Sequence, residues 1–223
     1  MATSSIWKPV EDATRQALVE DTELHQFLTP LLADKEERKK FIKKCLRKLK
    51  TRRMLLRAQW YLDIADDQEL VRQNRPALKI IFLIALAEAV TKMKTGRNAI
   101  GSFDAIKRFF AFTSEQDKEK ILLGFTRTLL SPKHHSLRFS SILRILYEIR
   151  NQAVHGEDYY SFSLPNEADK IKRAGYTDWG FITSSSLGKK GKKRRISLDI
   201  SLTYEELRDI VRRTAIANIQ DSF

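Results

Sequence analysis

Residues 142–155 read ILRILYEIRNQAVH, and Gly156 follows them. At about 100° per residue, Ile142, Ile145, Leu146, Ile149 and Ala153 fall on one face. That is the core stripe of an amphipathic helix, expected to cover about Leu137 to His155. Gly156 stands where a helix-ending glycine belongs. A second stripe runs through Leu143, Tyr147, Arg150 and Val154 at spacings of four, three and four. A solvated face does not carry Leu, Tyr and Val in register. The helix is therefore expected to pack on a second surface, either another helix or a second subunit along Leu143, Tyr147 and Val154.

The same pattern continues upstream. Ala77 to Val90 is apolar nearly all round, interrupted by Lys79 and Glu88, and predicts a central buried helix. It is too short for a membrane span, which needs about 20 apolar residues. Pro76 either opens this helix or kinks one begun near Gln68, and Gly96 and Gly101 end it. From Lys35 to about Ala65 no Pro or Gly appears. Ile42, Cys45, Leu46, Leu49, Leu56 and Trp60 recur at helical spacing, interrupted by Arg53, and read as one long helix capped by Asp34. Shorter helices are expected at about 103–111 and 115–129. Residues 1–34 read as an N-terminal arm with one or two short helices, punctuated by Pro9 and Pro30.

Downstream the period changes. Ile196, Leu198, Ile200 and Leu202 alternate with Ser197, Asp199 and Ser201, as in a half-buried strand. Trp179 to Leu187 is its expected partner, with GKKGKKRR at 188–195 as the loop of a hairpin spanning about 177–202. Thr203 and Glu206 form a T-x-x-E capping box that opens a last helix at about 204–219. The fold class is mainly α: an up-and-down helical bundle over 35–223 with a small β-hairpin elaboration near its C-terminal end.

Charge narrows the partners. Lys35 to Arg57 holds twelve Lys or Arg and two Glu, a net of +10. Lys189 to Arg195 holds six Lys or Arg and no acid, so the rest of a +13 chain is close to neutral. Such clusters suit a polyanion, and RNA, DNA and anionic membrane surfaces all qualify, although a solvated basic face gives the same composition. One cysteine, Cys45, excludes an intramolecular disulfide and a cysteine-rich zinc site and reads as a small core residue. His134 and His135 lack further ligands at metal spacing and read as a polar loop. No phosphate-binding glycine loop or nucleophile elbow is present. The N-terminus has no apolar leader segment, so a cytoplasmic protein is expected.

Arg150 and His155 are the candidate pair for chemistry, although spacing alone reads equally as a surface arginine and a histidine at a helix end. A guanidinium stays charged and donates two parallel hydrogen bonds to phosphate. An imidazole moves protons near neutral pH. Together they suffice for attack of an RNA 2′-hydroxyl on the adjacent phosphate without a metal. Five residues apart, they stand about 140° apart on an ideal helix, so one centre needs a loosened helix end or two copies of the chain. Glu148, Asn151 and His155 do fall close together, which suits Asn151 to orient the His155 ring.

LYEIRNQAVHG at 146–156, in the form Arg150-Asn151-x-x-x-His155 on a late amphipathic helix, resembles the HEPN superfamily. The signature of that family is Arg, four to six residues, then His, often with a polar residue after the Arg. The helix ending IALAEAV resembles the family's central helix, which often bears an acidic residue. The resemblance covers roughly residues 35–155. It implies a dimerising helical bundle whose two motifs line a shared cleft, and a cofactor-free, metal-independent endoribonuclease leaving a 2′,3′-cyclic phosphate. Several members are toxins or phage-defence effectors, which implies an antitoxin or regulatory partner. By position, Arg150 holds the scissile phosphate, His155 is general acid or base, and Asn151 supports them, with Glu88, Glu148 and Tyr147 as further supporting residues, although Glu88 reads equally as a helix carboxylate paired with a nearby basic residue. Some family toxins are modified at a Tyr two residues after the His; here that position is Glu157. The hairpin is extra to a minimal bundle, and Lys189, Lys190, Lys192, Lys193, Arg194 and Arg195 on it are expected to grip RNA. A non-catalytic module that binds RNA, nucleotides or a protein through the same cleft is the alternative.

Overall fold

The computed structural model describes residues 7–71, 76–96, 100–128, 135–155, 164–165, 178–184 and 194–223. These are mainly helical. In chain order the helices are α1 (Trp7–Val19), α2 (Thr22–Leu28), α3 (Lys35–Leu46), α4 (Leu49–Val71), α5 (Pro76–Thr95), α6 (Ser102–Phe110), α7 (Glu115–Gly124), α8 (Phe139–His155) and α9 (Tyr204–Gln220). α5 is the hub: α4, α6, α8 and α9 all pack on it. Its all-round apolar composition is the cause, since Ile80, Leu83, Ile84, Leu86, Ala87 and Val90 are all fully buried. Each of the larger side chains among these contributes about 1.5–3 kcal/mol over an exposed one. The described part of α5 begins at Pro76, and the residues before it, on which the choice between an opening and a kinking proline depends, lie outside the described residues. Gly96 closes it at φ +100, and its N–H donates to the Lys92 carbonyl at 2.9 Å.

The expected single helix from Lys35 to Ala65 is two helices. Asp34 does cap the first, accepting from the Glu37 N–H at 2.8 Å. The chain then turns at Arg47–Lys48. The Thr51 hydroxyl donates to the carbonyls of Cys45 at 2.6 Å and Lys48 at 3.1 Å, satisfying backbone groups that the break would otherwise orphan. The turn also resets the phase of the core stripe. α3 buries Phe41, Ile42, Cys45 and Leu46, whereas α4 buries Met54, Leu55, Ala58, Leu62 and Ala65. Leu49 and Trp60, members of the expected apolar stripe, are 51% and 48% exposed. Cys45 is in the core, as its neighbours predict.

Val19, Leu24, Phe27 and Leu28 of α1 and α2 belong to the same buried cluster as the rest of the bundle. α7 stops at Gly124 and does not reach residue 129. A Cβ on Gly124 would lie 2.5 Å from the Leu202 Cβ, and the Gly124 carbonyl accepts from the Ser201 N–H at 3.0 Å, so the helix end is clamped to the segment before α9. Short extended segments follow: β1 (Phe125–Thr128), β2 (His135–Ser136), β3 (Asp178–Ser184) and β4 (Arg194–Ile200), paired antiparallel in the order β2-β1-β4-β3. Phe125, Leu198 and Ile200 turn into the core.

α9 begins with the expected capping box. The Glu206 N–H donates to the Thr203 hydroxyl at 3.1 Å, and the Thr203 N–H donates to the Glu206 carboxylate at 2.9 Å. Arg208 and the Tyr204 hydroxyl both donate to Asp66 of α4. Arg213 makes a two-pronged pair with Asp117 of α7, at 2.9 and 2.6 Å.

Candidate functional site

The site is assembled where α5, the start of α6 and the last turns of α8 meet. Glu88 comes from α5. Its Oε1 accepts from the Lys92 ammonium at 2.6 Å and from the Ser102 hydroxyl at 2.6 Å. Its Oε2 accepts from Arg150 of α8 at 3.2 Å. A second Arg150 nitrogen donates to the Asn151 Oδ1 at 3.0 Å. Two cations thus share one carboxylate, and the cluster keeps a surplus positive charge. Burial pushes the Glu88 carboxyl up, but the hydrogen bonds from Lys92 and Ser102 and the charges of Arg150 and Lys92 outweigh it. The group sits below its ordinary value. Glu88 is ionised at neutral pH.

The Arg150 side chain is 26% exposed, and Glu88 only 12%. A guanidinium has five N–H donors. Among the described residues two of its nitrogens are engaged, so a held and partly open arginine faces solvent. That geometry suits an incoming phosphate.

The second stripe of α8 does pack on another element, and that element is in the same chain. Leu143 is buried at 2% exposure. Tyr147 lies against Phe103 of α6 with ring centroids 5.5 Å apart. The Arg144 guanidinium covers Phe103 at 3.5 Å. The expectation of a second subunit laid along Leu143, Tyr147 and Val154 is corrected here, because α6 and α5 already occupy that stripe through Tyr147 and Arg150. Only Val154 remains open, at 56%.

Of the supporting residues, Tyr147 is thus a packing contact, and Glu148 is buried on α8. Asn151 is engaged by Arg150. His155 is the last residue of α8, and its side chain lies outside the described residues. Lys189, Lys190, Lys192 and Lys193 lie outside them too. Arg194 and Arg195 fall in β4, with side chains that are likewise undescribed. Two members of the cluster escaped the sequence reading. Lys92 was findable, being four residues after Glu88 on one helix. Ser102 was not, because only the fold brings the start of α6 to Glu88.

Among the described residues no group of three potential metal ligands is present, and no helix is long and apolar enough to cross a membrane. Comparisons with protein-family models, curated proteins and solved structures find no match to this chain.

Proposed function

We propose that the chain is a metal-independent endoribonuclease of HEPN type, acting as a homodimer. The observation that carries the reading is the Arg150–Glu88 pair at 3.2 Å, which joins the motif arginine to the acidic residue of the central helix on the helix that ends at His155. In this reading Glu88 and Asn151 aim Arg150 at the scissile phosphate. His155 removes the 2′-hydroxyl proton or protonates the leaving 5′-oxygen. The 2′-oxygen forms a bond to phosphorus, the bond from phosphorus to the 5′-oxygen breaks, and a 2′,3′-cyclic phosphate and a 5′-hydroxyl result. About 140° separates Arg150 from His155 on an ideal helix, so a site pooled from two copies is the economical arrangement. The open Val154 beside His155 suits contact between helix ends. The resemblance extends the reading to a toxin or defence effector with an antitoxin or regulatory partner; separately from it, the charge of the 188–195 segment extends the reading to a hairpin at 177–202 whose basic loop grips RNA.

Incubation with varied RNAs in EDTA tests it, beside Arg150→Ala and His155→Ala. Wild type is expected to yield cyclic-phosphate ends, and each variant to lose at least about a hundredfold. Cleavage that persists in both variants, or none in wild type, ends the nuclease reading.

One observation favours a second reading, a non-catalytic binding module. The Arg150 charge is already countered by Glu88 within the fold, as in a structural clamp. RNA binding that needs Arg150 without any cleavage would select it.

A further inference from the structure

The turn at Arg47–Lys48 leaves one face of α4 uncovered. Leu49, Lys50, Arg53, Leu56, Arg57 and Trp60 lie along it, and Lys92, Met93 and Gly96 at the end of α5 form the opposite wall. The groove between them has a volume of about 1130 Å³, above the ~300–1,000 Å³ of sites that enclose one small ligand. Four of its lining residues are cations and none is acidic. Apolar and basic groups alternate, with Trp60 48% exposed and the Arg57 guanidinium 5.0 Å from its ring centre. A merely solvated basic face gives no reason to hold Leu49 and Trp60 in water.

We propose that this groove binds single-stranded RNA, with a base stacked on Trp60 beside Arg57 and successive phosphates on Lys50, Arg53, Arg57 and Lys92. The choice of RNA over DNA rests on the nuclease reading; the groove itself does not require cleavage. A single strand is the polymer that offers flat apolar faces and a regular row of anions together. An acidic peptide satisfies the cations but offers no ring to the Trp60–Arg57 pair. A flat anionic bilayer does not enter a groove walled by two helices. Along α4, Lys50, Arg53 and Arg57 are three and four residues apart, roughly 4.5 and 6 Å of axial rise. An extended strand lying along the helix therefore meets a cation at each step. Lys92 belongs both to the groove and to the Glu88 cluster, so a strand held here runs toward Arg150.

The test uses a 2′-O-methyl oligonucleotide, which has no free 2′-hydroxyl and is not cleaved. Its binding is followed by anisotropy across a salt series. Arg53→Glu with Arg57→Glu is expected to weaken binding at least tenfold and to flatten the plot of log K against log salt by about 1.4, since each single-strand contact contributes roughly 0.7. Trp60→Ala is expected to weaken it roughly five- to a hundredfold, and Trp60→Phe by less. Quenching of tryptophan emission on binding is expected in wild type and lost in Trp60→Phe, which separates Trp60 from Trp7 and Trp179. All three substituted side chains are exposed, and circular dichroism checks that the variants fold. Unchanged affinity in the double variant overturns the proposal. So does binding that tolerates Trp60→Ala but is displaced by polyglutamate or by anionic vesicles. If the groove variants lose the oligonucleotide while wild type cleaves nothing, the groove stands and the nuclease reading falls. Cleavage that depends on Arg150 but not on the groove gives the reverse.

Discussion

Two helix faces in this molecule share one rhythm and have opposite fates. On α8, Leu143, Tyr147, Arg150 and Val154 recur at spacings of four, three and four. On α4, Leu49, Arg53, Leu56 and Trp60 do the same. Each set mixes apolar, aromatic and arginine side chains. The α8 stripe is closed over up to its last turn, with Leu143 at 2% exposure, Tyr147 on Phe103 and Arg150 on Glu88, and opens only at Val154. The α4 stripe stands open, with Leu49 at 51% and Trp60 at 48%. Periodicity says which residues share a face. Whether that face is covered is decided by distant segments, here by α6, which packs on α8 and leaves this face of α4 open.

The sharpest way to break this contrast is to truncate the same residue type in both stripes. Leu143→Ala is expected to cost about 2–5 kcal/mol, the range for emptying a packed leucine site. Leu49→Ala is expected to stay within about 0.5 kcal/mol. Urea denaturation of both variants reads the difference, and equal losses would remove it. Next in size is the cover itself. Phe103→Ala removes the ring between Tyr147 and Arg144 and is expected to cost about 2–3 kcal/mol through lost aromatic contact and burial. It should also raise Tyr147 accessibility to iodination, making the α8 stripe resemble that of α4. Unchanged iodination would mean that α6 is not the cover.

The smallest effect concerns the polar end of the closed stripe. Glu88→Gln is expected to cost about 1–2 kcal/mol at neutral pH, because Lys92, Ser102 and Arg150 lose a charged acceptor. The Glu88 pKa is lowered in the folded state, so the unfolded chain binds the proton more readily. The stabilisation is therefore fully present above the unfolded carboxyl value of about 4.3 and is lost as pH falls through the lower folded value. Wild type and variant should converge in that acid window. A gap that stays constant from pH 7 to pH 3 would mean that the pair contributes packing and no charge.

Much of this was legible in the chain. The all-apolar run at Ala77–Val90 had to be central, and Thr203 with Glu206 marked the start of α9 because each satisfies the other's backbone N–H. Arg150, Asn151 and Glu88 were singled out from motif and pattern, and the fold does bring these three together. The break between α3 and α4 was not legible. Arg47 and Lys48 are good helix formers, and the device that ends α3 is the Thr51 hydroxyl reaching back to Cys45, a contact that leaves no periodic trace. That break separates Leu49 and Trp60 from the buried stripe of α3 and leaves them on a groove wall. Ser102 escaped for a similar reason, since its tie to Glu88 spans fourteen residues and joins two helices.

Cys45 turns that break into something that can be timed. Its thiol is fully buried in the last turn of α3, and burial pushes it up to about 12, so almost no thiolate forms at neutral pH and no reagent reaches it in the closed state. The only cysteine in the chain is therefore a silent clock. It reacts only when α3 parts from the bundle, and its labelling rate counts those openings.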